Sequence, residues 1–569
     1  MRIPILYHDP DIIVVDKPVG VPTHAPDPGD PYPGDALRIV QAQVGLDYLG
    51  MHQRLDADTS GVLLFAARRE ANPALAAAFE GREVRKVYLA LVHGAPQPAQ
   101  GAIDAPIVRD RGGRYRVTAP GERQGKPAAT RYRLLETSPD RRYSLLEIIP
   151  ETGRSHQIRV HLAHIGLPVV GDLLYGPADR PAPRLCLHAY QLTLPHPTTG
   201  ETVTFTAPRP TLFAGLGSGL PGVQLAGTGT HVRGAVRQPD ALRELLRLAV
   251  ERRAPLATDP ATTIYRLVNA AADGLPGLTV DRYGDALVAS LYDDDDRLPP
   301  RPMPEPLIAL LAETAETIGA RALYVKYRPK EAGRIAEDQV EMLAPPKPVW
   351  GPDLGEFVAV EAGLAYLIRP GEGLSVGLFG DMREGRARVR AWADGRRVLN
   401  CFAYTCGFGV AAAAGGAIRV LNLDLSKPAL AWGQKNYRAN GFEPDPYDFV
   451  YGDVFDWLAR LAKRGDRFEL VILDPPGFSR TRRRRFSAAR DYGELAVLAA
   501  GCTAADGLLL ACCNVAELPW PRFRDQVLAG LAGVGRAAEV AGVYHEPAVD
   551  FPAPAGTEPY LKMLLLRLG

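Results

Sequence analysis

Apolar residues along this chain follow two different rhythms, and the change between them divides it. Up to about residue 210, short β-branched runs recur between Gly and Pro punctuation. Asp11-Ile12-Ile13-Val14-Val15-Asp16, Lys86-Val87-Tyr88-Leu89-Ala90-Leu91-Val92 and Tyr143-Ser144-Leu145-Leu146-Glu147-Ile148-Ile149 are examples. That pattern predicts a mixed, largely antiparallel sheet with a few helices. From residue 208 to about 237 the text turns to Pro, Gly and small residues, which predicts a linker. A helix is expected next, with Asp240 as its cap and Leu242, Leu245, Leu246 and Ala249 on one face. Short strands follow around Tyr265-Arg266-Leu267-Val268, Leu278-Thr279-Val280 and Ala286-Leu287-Val288-Ala289. From about residue 385 to the end, apolar strands alternate with helical segments, the signature of a parallel α/β sheet. The expected fold class is therefore multidomain α/β and α+β. Residues 1–210 form one domain, 211–258 a linker and helix, 259–372 a central α/β domain and 373–569 a Rossmann-like domain.

Composition narrows this picture only slightly. The 569 residues are 46% hydrophobic and 23% charged, as in globular proteins. Lys plus Arg (66) nearly equals Asp plus Glu (65), so any nucleic-acid contact has to come from local basic patches. The first residues lack the apolar run of a signal peptide, and the Ala/Gly-rich stretch 410–416 is stopped by Arg419, so no membrane segment is expected. Six cysteines (Cys186, Cys401, Cys406, Cys502, Cys512, Cys513) show neither a disulfide framework nor zinc-like spacing, which suits a reducing cytoplasm.

In the first half, chemistry gathers around His52-Gln53-Arg54-Leu55-Asp56-Ala57-Asp58-Thr59-Ser60-Gly61. A carboxylate at Asp56 can act as nucleophile or base in detaching uracil from ribose and rejoining it through carbon, with no cofactor. A nearby arginine keeps it ionised. An aromatic wall such as Tyr88 can hold a base flipped out of its stack. An isolated Arg-Leu-Asp reads first as a turn carboxylate, but this one has company. Asp16-Lys17-Pro18-Val19-Gly20 precedes it. After it come the Tyr88 strand, Gly125-Lys126-Pro127-Ala128, Gly153-Arg154-Ser155-His156-Gln157-Ile158-Arg159-Val160-His161, Gly171-Asp172 and Leu187-His188-Ala189.

That ordered series resembles the RluA family of pseudouridine synthases over about residues 5–210. The resemblance implies a catalytic domain in which Asp56 is the catalytic aspartate, Tyr88 the active-site tyrosine and Arg159 the basic partner of the aspartate. It also implies RNA contacts from Arg54 and Arg154. Gln53 departs from the family, where most members have a histidine, and His52 is shifted by one position. His156, His161 and His164 lack the i, i+4 pair of two helical metal ligands, so core or RNA-facing roles are expected and no metal. Arg109, Arg111, Arg114 and Arg116 read either as a phosphate contact or as a solvated hairpin.

In the second half, Arg397-Val398-Leu399-Asn400-Cys401-Phe402-Ala403-Tyr404-Thr405-Cys406-Gly407-Phe408-Gly409 reads as strand, glycine-bearing loop and helix. Asn400, Phe402 and Gly407 are its candidate cofactor contacts. Asp424 ends the next strand, placed for ribose hydroxyls, and Asp453 is suited to an adenine amino group. The buried run 468–473 opens into Asp474-Pro475-Pro476-Gly477-Phe478.

These residues resemble class I S-adenosylmethionine methyltransferases. The similarity is to the RlmI-like group that makes 5-methylcytosine in large-subunit (23S) ribosomal RNA, over about residues 260–569. Further matches are Asp273-Gly274-Leu275-Pro276-Gly277-Leu278-Thr279-Val280-Asp281-Arg282-Tyr283, Gly377-Leu378-Phe379-Gly380-Asp381-Met382-Arg383, Asp550-Phe551-Pro552 and Tyr560-Leu561-Lys562. By that resemblance Asp381, Arg383 and Asp474 join the cofactor site, and residues 259–372 are the substrate-binding domain. Ser375-Val376 departs from the usual Lys-Thr. Methylation at cytosine C5 needs a thiolate to add first at C6. Cys513 is the candidate, although an ungapped match puts Asn514 at the cysteine position. A related group that modifies guanine has Asn in this region, which keeps a base nitrogen open as the acceptor. Arg482, Arg483, Arg484 and Arg485, beside the substrate mouth, are expected at RNA phosphates.

Overall fold

The computed structural model describes residues 2–24, 35–110, 114–119, 122, 124–172, 174–177, 184–210, 213, 231–237, 239–293, 299–328, 339–480, 484–553 and 557–569. In the first domain the β-branched runs pair into one ten-stranded sheet. Its order is Ile5–His8, Ile12–Lys17, Ser60–Ala66, Leu187–Pro195, Arg85–His93, Tyr143–Pro150, Ala129–Thr137 and Gln100–Asp104, with two short strands off this path. Pairing is antiparallel along that path except where Leu187–Pro195 runs parallel to Ser60–Ala66. At that crossing a Cβ on Gly61 would lie 2.2 Å from the Ala189 carbonyl oxygen, and φ there is +111°. Only glycine lets the segment leaving the Asp56 loop approach its neighbour so closely. The helix Gln157–His164 packs beside the sheet and buries Arg159.

Residues 211–212 and 214–230, the heart of the expected linker, lie outside the described residues. The helix after it is Pro239–Arg252, so Asp240 occupies its first turn and is not its cap, a place where its charge still favours the helix dipole. Leu242, Leu245, Leu246 and Ala249 are buried as the spacing predicts. They join one apolar cluster with Leu267, Leu278, Leu287 and Leu323 of the following sheet, so this helix is a core element and not part of a linker. The same cluster takes in Ile3, Ile13 and Val15 of the first domain and Val549 near the end of the chain, so apolar packing runs through all three folded regions.

The central sheet has the order Ile264–Asn269, Leu278–Tyr283, Ala286–Tyr292, Ala322–Arg328, backed by the helix Glu305–Thr317. The C-terminal sheet has seven strands, in the order Phe449–Tyr451, Arg419–Asp424, Arg397–Cys401, Phe468–Leu473, Thr503–Cys513, Lys562–Leu568, Ala538–Tyr544. The first five are parallel, and Lys562–Leu568 is antiparallel to both neighbours. Strand order reverses on either side of Arg397–Cys401. In open α/β sheets that is where a ligand crevice opens, at the carboxyl ends of the strands. Among the described residues no helix is long and apolar enough to cross a membrane.

Candidate active sites

Arg159 organises the first site. Its Nε and one terminal nitrogen donate to the two oxygens of Asp172, each at 2.8 Å, while the other donates to Asp56 Oδ2 at 3.1 Å. Asp172 is anchored in turn by the backbone N–H groups of Leu174 and Tyr175. One buried carboxylate thus fixes the guanidinium and leaves a single edge for Asp56, whose side chain is 31% exposed. Burial works against the Arg159 charge, but Asp172 and Asp56 outweigh it and raise its pKa. Burial and the Asp56 charge both push the Tyr88 phenol above its ordinary range, so it stays neutral at the pocket wall.

These groups line a cavity of about 770 Å³, with Arg54 and Arg154 at its exposed rim. His156 is also there. Its backbone has φ +54°, its Nδ1 shares a 2.8 Å hydrogen bond with the Tyr175 hydroxyl, and its Nε2 lies 3.9 Å from Asp56 Oδ2. His161 is instead a core residue, bonded to Thr130 and the Ala105 carbonyl. Sequence reasoning gave Asp172 no role. Its signal was present as Gly171-Asp172, but nothing local shows that it locks Arg159. The arginine-rich stretch is a hairpin, Ile107–Arg109 with Tyr115–Val117, in which Arg116 pairs with Glu122. Arg111 lies outside the described residues.

The second site forms where the strands Arg397–Cys401, Arg419–Asp424 and Phe468–Leu473 end. Three non-glycine residues of the first loop, Phe402, Tyr404 and Cys406, have φ of +59°, +47° and +62°. Such conformations are costly and persist only where their surroundings hold them. Asp424 does so here, accepting the Tyr404 N–H at 2.8 Å and the Ser426 N–H at 2.8 Å. Asp453 caps the helix Val454–Arg464 through the Phe455 N–H. Asp381 accepts the Tyr560 hydroxyl at 2.7 Å. Burial, then the Asp381 charge, pushes the Asp474 carboxyl up to about 7.

Residues 11–164 match the RNA pseudouridylate synthase family, and residues 330–528 match the S-adenosylmethionine-dependent methyltransferase family. Ribosomal RNA large subunit methyltransferase I of Aeromonas salmonicida is 32% identical over 326 residues, 57% of this chain and 79% of that protein. A ribosomal RNA large subunit methyltransferase of Deinococcus radiodurans is 33% identical over 317 residues, 55% and 74% of the two chains. The chain belongs to the S-adenosylmethionine-dependent methyltransferase family, and its residues 11–164 match the pseudouridylate synthase model. An uncharacterised RNA pseudouridine synthase of Chloroflexus aurantiacus is 45% identical over 203 residues, 34% of this chain, which spans 62% of that relative's length. The solved structure of SMU.776 complexed with S-adenosylhomocysteine superposes with a TM-score of 0.50 at 26% identity, covering 58% of this chain and 81% of that one. Stretches that match a pseudouridylate synthase family and an S-adenosylmethionine-dependent methyltransferase family therefore share one polypeptide.

The methyltransferase half has room for the cofactor's chemistry. Among the described residues the buried Asn400 Oδ1 has no hydrogen-bond partner. Four of the expected site residues make other contacts in this structure. Asn400 is 1% exposed within a strand, and its Nδ2 donates to Asn422 Oδ1, so it belongs mainly to a buried amide pair. Arg383 gives two hydrogen bonds, at 2.8 and 2.5 Å, to buried Asp550, which makes it a clamp on the C-terminal segment. Arg484 pairs with Glu494 and lies over the Phe455 ring, so its charge is already partnered, whereas Arg485 is exposed. Arg482 and Arg483 lie outside the described residues. Cys513 is 1% exposed and packs in the core with Leu473, Tyr492 and Phe523, and burial raises its thiol pKa. The next residue, Asn514, lies just past the end of this strand and is exposed, with Oδ1 3.9 Å from where a Cβ on Gly477 would stand.

Asp474 carries a pH signature. Its folded pKa is raised from 3.8 to about 7, so in that interval the folded state holds a proton that the unfolded state has lost. Its contribution to stability is complete below pH 3.8 and disappears as pH rises through about 7. Urea unfolding of wild type and Asp474→Asn across this interval is expected to show the wild type losing stability relative to the variant as pH rises. Parallel pH profiles would count against a buried, proton-holding Asp474.

Proposed function

We propose that this chain modifies large-subunit ribosomal RNA twice, isomerising uridine to pseudouridine in its first half and methylating a base nitrogen in its second. The domains are 1–210 for the synthase, 259–372 for substrate binding and 373–569 for methyl transfer, with the helix Pro239–Arg252 seated in the central core. The Asp172–Arg159–Asp56 chain of hydrogen bonds carries the synthase reading. Asp56, hydrogen-bonded by Arg159, stands at the cavity wall, where it serves as nucleophile or base while the ribose–N1 bond breaks and a ribose–C5 bond forms. The proton leaving C5 is balanced by one gained at N1. Tyr88 supports the flipped base, and Arg54 and Arg154 meet RNA at the rim.

In the second half, all six cysteines are buried, and that observation favours nitrogen over cytosine C5 as acceptor. Carbon methylation requires a thiolate at the base, and burial raises the pKa of the two thiols that feel the Asp474 charge, Cys512 and Cys513. S-adenosylmethionine, when bound, supplies an electrophilic methyl group. The protein's part is to hold cofactor and base. Gly407 and the pinned 402–406 loop, with Asp424, Asp453 and Asp381, frame the cofactor. Asp474 accepts a hydrogen bond from the base nitrogen, and Phe478, 57% exposed, offers a ring for stacking.

The test uses deproteinised ribosomal RNA, labelled methyl donor and pseudouridine mapping. Cys513→Ala is expected to keep methyl transfer within about twofold of wild type, because a buried strand thiol contributes packing alone. Loss of methylation in a folded Cys513→Ala protein, or label recovered at cytosine C5, would restore the carbon reaction.

A further inference from the structure

The central sheet turns one face to the helices Pro239–Arg252 and Glu305–Thr317 and the other to the methyltransferase domain. On that second face, side chains change from apolar to polar along the strands. Tyr283, Ala286 and Ala322 form one cross-strand row and pack with Val376 and Leu378. Two rows further, Thr279, Ser290 and Lys326 stand in register across three strands, and such partners share a face. Lys326 is 0% and Thr279 5% exposed, yet neither Lys326 Nζ nor Thr279 Oγ1 has a hydrogen-bond partner. Arg328, two residues on and so on the same face, reaches Ser290 Oγ and donates to the Leu374 carbonyl at 2.7 Å. Among the described residues, no carboxylate pairs with Lys326 or Arg328.

This row borders the cofactor loop. The Thr405 hydroxyl donates to the Gly377 carbonyl at 2.5 Å, and the neighbouring Tyr404 phenol feels the Arg328 charge. Burial, with help from Arg328, lowers the Lys326 ammonium to about 8, which still leaves it mostly charged at neutral pH. An unpaired buried charge destabilises the protein until an anion reaches it. The methyltransferase's own cofactor brings one such group, its amino-acid carboxylate.

We propose that Lys326, assisted by Thr279, receives the carboxylate of S-adenosylmethionine, so that the central domain completes the cofactor site across the domain seam. This rests on the S-adenosylmethionine reading of that half. The experiment titrates the full chain with S-adenosylhomocysteine and with 5′-methylthioadenosine, which keeps the adenosine and thioether but lacks the carboxylate. Lys326→Met is expected to weaken S-adenosylhomocysteine by about 10- to 100-fold, the size of a charge-assisted hydrogen bond, and to leave methylthioadenosine unchanged. Thr279→Val should give a smaller loss of the same selectivity. Because Lys326→Met removes an unpaired buried charge, the free protein should melt at a higher temperature while its ligand-induced upshift shrinks. Equal weakening of both ligands, or unchanged S-adenosylhomocysteine binding with reduced RNA retention, would overturn the assignment, the second pointing to a phosphate. No binding of either ligand to wild type would instead overturn the cofactor reading itself.

Discussion

Asp56→Asn is expected to lower pseudouridine formation by about 10³-fold or more while methyl transfer stays at the wild-type level. The substitution is nearly isosteric, and its amide oxygen can still accept from Arg159. What it loses is charge, and with it both nucleophile and base. The fold should tolerate this, because Asp172 already binds two nitrogens of Arg159 and the guanidinium is not left unpaired. Tritium release from RNA labelled at uridine C5 measures the reaction, and labelled methyl incorporation in the same tube reports the other half. A variant retaining a tenth of the wild-type release would remove Asp56 from the chemistry. Loss of both activities together would mean that the change had damaged the shared core.

Asp550→Ala is the second large effect, this time on stability. Asp550 is fully buried, and its carboxylate takes two hydrogen bonds from Arg383 and the backbone N–H of Arg266 at 3.1 Å. Its own carbonyl accepts from Arg253, which also binds both oxygens of Asp273. The residue therefore ties the C-terminal segment to the methyltransferase helix Arg383–Trp392 and to the central sheet. Removing it takes two charge-assisted hydrogen bonds from the largely buried Arg383 guanidinium, which costs about 3–5 kcal/mol. Denaturant unfolding should show that loss, with both activities falling as the folded fraction falls. Replacing the pair together, Arg383→Met with Asp550→Leu, should recover much of it, since a packed apolar pair avoids the desolvation cost. A single-variant loss below about 1 kcal/mol would show that Arg383 finds another partner.

Much of this protein is legible in its sequence. Alternation and punctuation predict both sheet types, because side-chain period follows directly from backbone geometry. The helix face Leu242, Leu245, Leu246 and Ala249 is right for the same reason, and the central sheet is what covers it. Periodicity shows that a face is apolar, not which sheet covers it. The Asp56 and Asp474 motifs were likewise visible as short local strings. Arg383 and Cys513 were read from equally local strings, yet one is bound to a residue 167 positions away and the other points into the core.

Local chain geometry, then, was determined by the sequence alone: strand and helix periods, the glycine-bearing loop and the order of chemical motifs. Tertiary structure decided which way each functional side chain points and which partner reaches it first. The strand Thr503–Cys513 ends inside the core, so one position separates the buried Cys513 from the exposed Asn514 just beyond it. Charge pairing depends on distance in space. Only the folded chain could show Asp172 locking Arg159, Asp550 engaging Arg383, and Lys326 buried at the domain seam without an anion.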